Sequence, residues 1–237
     1  VLIAPILYSW RYLGVNTNDF LQESFGLTEI DLSINNAVVL YSLSIVIAYD
    51  LAFYLVHLAM HKIPFLWEFH KIHHSATSLN PITQYRLHPV ELIINNLTYG
   101  MVSGILLGVF DYFTTAPINF AVQANIFSML FLFWGANLRH SHVKLKYFSF
   151  IERIFISPFQ HQIHHSDNPK HYDKNMGAKL ALWDWVFGTL VRSNESEKLS
   201  FGLGKADNIN YNSFFKTLYM PFKNCSLYLI RLFQSKQ

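Results

Sequence analysis

Cysteine is almost missing from this chain: Cys225 stands alone among 237 residues. A single thiol excludes an internal disulfide, a cysteine-built zinc finger and a thiolate-held cluster, and leaves histidine as the abundant borderline-soft metal ligand. Charge is scarce as well. Only 14% of residues are charged while 51% are hydrophobic and 16% aromatic, which gives a soluble sphere of this size too little polar material for its surface. Part of the solvent is therefore expected to be lipid. The formal charge of +3 gives no reason to expect nucleic acid as a partner. No GxGxxG fingerprint opens a strand–helix unit and no haem-attachment motif occurs, so electrons for any redox chemistry are expected from a separate donor. The apolar opening VLIAPILYSW lacks an initiator methionine and a charged leader, and reads as a trimmed or interfacial helix rather than a signal peptide.

Long apolar runs are what the chain does have. Residues 37–60, 92–110 and 116–136 each pass the length test of about 20 mostly apolar residues for crossing a bilayer. Each also holds polar groups: Asp50 in the first, Asn95 and Asn96 in the second, Asn119, Gln123 and Asn125 in the third. Such groups at membrane depth normally face a protein interior. The short link 111–115 favours an antiparallel hairpin of the second and third runs, and Gly100, Gly104 and Gly108 form a spacing that lets helix backbones approach closely. Of 18 lysines and arginines, 3 fall between Lys62 and Arg86 and 14 between Arg139 and Lys236. By the positive-inside tendency, the loop 62–91 and everything after 137 are expected on the cytoplasmic face.

All twelve histidines then collect at one membrane surface. Residues three and four apart share a helix face, so His57 and His61 (HLAMH) aim together, as do His70, His73 and His74 (HKIHH) and His161, His164 and His165 (HQIHH). His140 and His142 (HSH) follow the third run, and one or both complete the set. Three imidazoles on one face are costly to desolvate unless something binds them, and ten exceed the needs of one ion. Imidazole suits iron, zinc, copper or nickel, and two ions that each keep a position open would use about this number. His88 and His171 stand alone and read as hydrogen-bonded loop residues. Asp173, Asn175, Asp184 and Glu91 are candidates to orient ligating imidazoles, while Glu68 and Glu152 read as solvated or outer groups.

The ordered series HLAMH, FHKIHHSA, YRLHPVE, NLRHSH, SPFQHQIHHS and NPKHYDKNMGAKLALWDWVFGTL resembles the fatty acid hydroxylase and sterol desaturase superfamily over roughly residues 45–192. That resemblance implies a membrane-bound non-haem di-iron enzyme acting on a lipid with O2. It supports His57, His61, His70, His73, His74, His161, His164 and His165 as catalytic metal ligands, and it expects one more histidine after the third run, for which His140 is favoured over His142. Iron fits a reaction at an unactivated C–H bond because zinc has no second oxidation state, although purified material is expected to accept zinc as well.

The expectation is thus an all-α integral membrane protein with a histidine-rich cytoplasmic cap holding a dinuclear metal site. Its parts are an N-terminal interfacial or truncated helical segment (1–36), a catalytic membrane domain (37–192), and a C-terminal loop with an amphipathic interfacial helix (193–237). The leading function is hydroxylation of a fatty acyl, alkyl or sterol chain with two iron ions, O2 and an external reductase or small redox protein. Desaturation at the same site and a non-catalytic zinc- or copper-handling membrane protein are the alternatives; ligands gathered at one face rather than spread through the membrane depth argue against transport.

Overall fold

The structure, a computed structural model, describes residues 3–27, 30, 32–114, 135, 137–193, 198–204, 207 and 209–234, with side chains from Trp10 onward. Among these residues the secondary structure is helical, and extended pairing is confined to two isolated bridges, Phe155 with Leu180 and Ser166 with Phe201. The main helices are α1 (Ile3–Phe25), α2 (Ile34–Lys62), α3 (Pro64–His74), α4 (Pro89–Phe113), α5 (Pro158–His164) and α6 (Phe214–Gln234). Helices α2 and α4 are long and apolar enough to cross a membrane, with mean hydropathies of 1.9 and 1.6 over their most apolar windows. Among the described residues, only 28% and 17% of those apolar stretches are buried by protein. The third expected span, 116–136, lies outside the described residues except for residue 135.

The chain divides into two units, Val1–Ala52 with Ile94–Leu130, and Phe53–Ile93 with Phe131–Gln237. In the first, the glycine stripe of α4 meets α1. A Cβ on Gly100 would sit 1.8 Å from the Trp10 ring, one on Gly104 2.7 Å from the Trp10 carbonyl oxygen, and one on Gly108 2.3 Å from the Gly14 carbonyl oxygen. No side chain fits there, so the small residues are what allow the two backbones to touch. Tyr41 packs edge-on against Phe110 with ring centroids 5.2 Å apart, and the Tyr49 and Ser103 hydroxyls hydrogen-bond. Asp50, fully buried, belongs to this unit.

The second unit begins with the last turns of α2. Pro64 disfavours helical backbone at the preceding residue, and Ile63 is extended (φ −95, ψ 114) before α3 starts with that proline in its first turn. The break converts one apolar helix into two, so His57 and His61 on α2 can face His70 and His74 on α3. Helix α5 is launched by a reciprocal cap: the Ser157 hydroxyl accepts from the Gln160 N–H at 3.2 Å, and Gln160 Oε1 accepts from the Ser157 N–H at 2.9 Å. Beneath it Glu152 is buried, not solvated, and accepts from the hydroxyls of Ser157 (2.7 Å) and Ser193 (2.6 Å). Glu68 is likewise engaged, with Lys71 at 2.6 Å and Asn224 at 2.7 Å. The latter contact, with Phe69 on Phe222 and Phe65 on Tyr228, seats one face of α6 on α3. Phe214, Phe215 and Phe233 of α6 stay exposed.

Candidate metal centre

Four stretches of sequence bring nine imidazoles together inside the second unit. His57, His61, His70, His74 and His164 form one group, and His73, His140, His161 and His165 another; in each, the candidate ligand atoms all lie within 4.8 Å of one another. The two HxxHH triplets therefore do not build one group each. Helix α3 sends His70 and His74 to the first group and His73 to the second, while His164 and His165 divide in the same way. His142 is exposed and belongs to neither group. His88 takes part in loop packing: its Nδ1 accepts from the Val90 N–H at 3.0 Å and its Nε2 donates to the Leu218 carbonyl at 3.2 Å. His171 is buried but outside both groups.

The nitrogens stand at spacings that could hold a cation. His140, His161 and His165 place their Nε2 atoms in a triangle with separations of 3.0, 3.2 and 3.2 Å, and His73 Nε2 is 3.3 Å from that of His140. A neutral imidazole Nε2 offers either one proton or one lone pair, directed outward from the ring, so three of them cannot satisfy one another around a triangle. Nitrogens sharing an ion at about 2.0–2.1 Å would stand roughly 3.0–3.4 Å apart at adjacent positions, which is the spacing seen. In the first group His57 and His70 Nε2 are 3.0 Å apart, and the Nε2 atoms of His61, His74 and His164 are buried with no hydrogen-bond partner among the described residues. These donor sets fit two metal ions.

For four of the nine, contacts at Nδ1 point to the nitrogen that faces inward. His57 Nδ1 lies 2.7 Å from the Met176 carbonyl oxygen, His164 Nδ1 2.8 Å from that of Lys174, and His70 Nδ1 3.0 Å from Glu91 Oε1. His61 Nδ1 is 3.5 Å from Asp173 Oδ1. With Nδ1 donating outward, Nε2 keeps its lone pair for an ion. Of the four residues expected to orient imidazoles, Glu91 and Asp173 do so directly. Asn175 and Asp184 act on the supporting backbone instead. Asp184 accepts from the N–H groups of Met176 (2.7 Å) and Gly177 (2.8 Å), and Asn175 donates to the Gln160 carbonyl at 3.0 Å. The carbonyls of Lys174 and Met176 could not be read from residue type, because every residue carries one. The signal available was the DKN run, since Asp and Asn tolerate the left-handed backbone that Asp173 (φ 58) and Asn175 (φ 52) adopt.

Burial first, then the neighbouring imidazoles, hold the pKa values of His70, His73, His74, His161, His164 and His165 well below the usual histidine range. Neutral imidazole is the form that binds metal. The hydrogen bond from His61, followed by Lys62, brings the Asp173 carboxyl down to about 2. A cavity of about 500 Å³ reaches His61, His74, His164 and His165, with Trp67, Tyr172 and Leu203 in its wall and Lys62 and Asp173, 2.5 Å apart, among its lining residues. A larger cavity of about 920 Å³, between residues 72–89 and the start of α6, is lined by none of the nine histidines, so the smaller one is the space adjoining the candidate chemistry.

Two histidine groups that could hold metal ions, with two apolar helices of membrane-crossing length, suggest a metal-binding membrane protein, and comparison narrows the class. The fatty acid hydroxylase family model matches residues 42–189, and the chain belongs to that family. It is 30% identical to alkylglycerol monooxygenase from Danio rerio over 155 residues, 65% of this chain and 31% of that protein. Ornithine lipid hydroxylase from Rhizobium tropici is 28% identical over 68% of this chain and 44% of its own length. Human cholesterol 25-hydroxylase is 29% identical over 60% and 48% respectively. The chain thus spans a third to a half of the curated relatives it matches. No solved structure matches it.

Proposed function

We propose that this chain is the catalytic core of a membrane-bound iron-dependent lipid hydroxylase. The observation that carries the reading is the gathering of nine buried imidazoles into two groups of metal-ligand spacing. In this reading His57, His61, His70, His74 and His164 hold one iron ion, and His73, His140, His161 and His165 the other. The bound pair would supply dioxygen activation and the redox change that insertion into a C–H bond demands. The balance is R–H + O2 + 2 electrons + 2 protons giving R–OH + H2O, and in this reading a separate reductase or small redox protein delivers the electrons.

The chain's own residues perform the remaining tasks. Burial of the imidazoles excludes bulk water from the reacting space and keeps them neutral. The 500 Å³ cavity is within the ordinary size of small-ligand pockets, and it gives a lipid carbon a place beside His61, His74, His164 and His165. The names of the relatives, which act on an alkylglycerol, an ornithine lipid and cholesterol, support a lipid with an oxidisable hydrocarbon chain or ring. Helices α2 and α4, with the run 116–136, would anchor the chain in the bilayer. The basic residues between Lys62 and Arg86 and after Arg139 support a metal site on the cytoplasmic side.

The test is anaerobic iron loading in lipid membranes, followed by oxygen and a working electron donor. A hydroxylated lipid, absent with His164→Ala protein, is the expected product. Two bound irons with no oxygen uptake across a panel of alkyl, acyl and sterol lipids would sink the proposal.

A further inference from the structure

The two histidine groups are not supported alike. In the five-membered group, the Nδ1 atoms of His57, His61, His70 and His164 each meet an acceptor: the Met176 carbonyl, Asp173, Glu91 and the Lys174 carbonyl. Two of these contacts are with acidic side chains, Asp173 and Glu91. Three come from residues 173–176, whose backbone is itself fixed. Asp173 and Asn175 are left-handed, Asn175 Oδ1 accepts from the Val191 N–H at 2.7 Å, and Asp184 grips Met176 and Gly177 from below. In the four-membered group, His73 Nδ1 and His161 Nδ1 are buried with no hydrogen-bond partner among the described residues.

An acceptor on Nδ1 fixes the tautomer, orients the ring and makes Nε2 the better donor, and losing such a partner typically weakens metal binding about 10–100-fold. An imidazole with an unanchored Nδ1 gains nothing from keeping its proton there. It must give up the alternative tautomer, in which Nε2 carries the proton and cannot ligate, at the moment of binding. The count of donors points the same way, five against four.

We propose that the two positions differ in affinity: the His57, His61, His70, His74 and His164 group takes the first divalent ion and holds it more tightly, and Glu91 with residues 173–176 sets that order. The inference rests on the reading of the nine histidines as ligands and extends it to an order of loading. At limiting metal supply the chain then exists as a one-ion species with the four-imidazole position vacant.

The experiment uses the full chain in lipid nanodiscs, stripped of metal and titrated with cobalt(II) at buffered free concentrations. Bound metal is counted by elemental analysis and its ligand field followed in the visible spectrum. Two binding steps at least about 10-fold apart are expected. His161→Ala should abolish the weaker step and spare the tighter one. Asp173→Asn and Glu91→Gln should each weaken the tighter step by about 10-fold and leave the other in place. Two ions entering in a single step of one affinity overturn the inference while leaving the ligand reading intact. So does loss of the tighter step in His161→Ala protein, or an equal shift of both steps by the carboxylate variants. No cobalt uptake at all overturns the ligand reading together with it. The unmodified chain alone decides whether two steps exist, whatever the variants do to folding.

Discussion

His74 and His165 stack nearly parallel, with ring centroids 4.5 Å apart and 28° between their planes. One comes from HKIHH and the other from HQIHH, and they belong to different histidine groups. Residues some ninety positions apart in the chain thus form the seam at which the two groups meet.

That seam makes a prediction about metal content. His74→Ala and His165→Ala each remove a donor from a different group, so each should lower bound metal toward one ion per chain and cut lipid product by at least about 10–100-fold, the range that even outer partners command. Elemental analysis and product assay on the same preparation check both. Two ions retained at unchanged affinity in either variant would mean that its imidazole is not a ligand.

Asp184 is expected to matter for stability before it matters for chemistry. It is fully buried and accepts from two backbone N–H groups and from the Thr189 hydroxyl at 2.6 Å. Asp184→Ala leaves those donors without partners, at a cost of about 3–5 kcal/mol. A thermal melt in detergent should show a large fall in midpoint, smaller for Asp184→Asn, which keeps part of the acceptor capacity. An unchanged midpoint for the alanine variant would contradict the contact geometry.

Acidification should act on the metal-free chain in a definite direction. Six of the buried histidines have folded pKa values well below the ordinary 6.5. Below pH 6.5 the unfolded chain therefore binds protons that the folded chain refuses, and stability falls as pH drops through and beneath that value. Above it the contribution is flat. Bound metal competes with the protons, so chelator-treated protein should lose its thermal midpoint between pH 6.5 and 5 while loaded protein holds to lower pH. Parallel curves for the two forms would count against metal binding at these imidazoles.

In the first unit the glycine contacts predict sensitivity to a single methyl group. A Cβ on Gly108 would stand 2.3 Å from a backbone oxygen of Gly14 and 2.6 Å from Thr17 Cβ, neither of which can swing aside. Gly108→Ala should cost about 1–3 kcal/mol through overpacking. Met101→Ala, at a position 50% exposed on the same helix, should stay within about 0.5 kcal/mol. Comparable melting of both variants would show that α1 does not pack where described.

Helical periodicity made the histidine faces legible, because residues three and four apart must share a side whatever surrounds them. The glycine stripe was legible for the same reason. Glu152 was not: a glutamate between Ile151 and Arg153 carries no local mark of whether it meets water or, as here, the Ser157 and Ser193 hydroxyls from beyond its own helix turn. His140 and His142 were equally ambiguous, since two residues of separation in an irregular segment fix no common face, and only the fold puts the first inside and the second in solvent.

What the amino-acid order determined by itself was a stock of imidazoles in fixed local sets, joined to runs too apolar for water. Tertiary structure decided how those sets were shared out. Helix geometry separates neighbours such as His73 and His74 by about 100° around the axis, so each triplet presents two directions, and a partner on each side is needed before either direction becomes a site. Which backbone carbonyl lies behind which ring is a matter of packing between segments distant in sequence. No local rule encodes it.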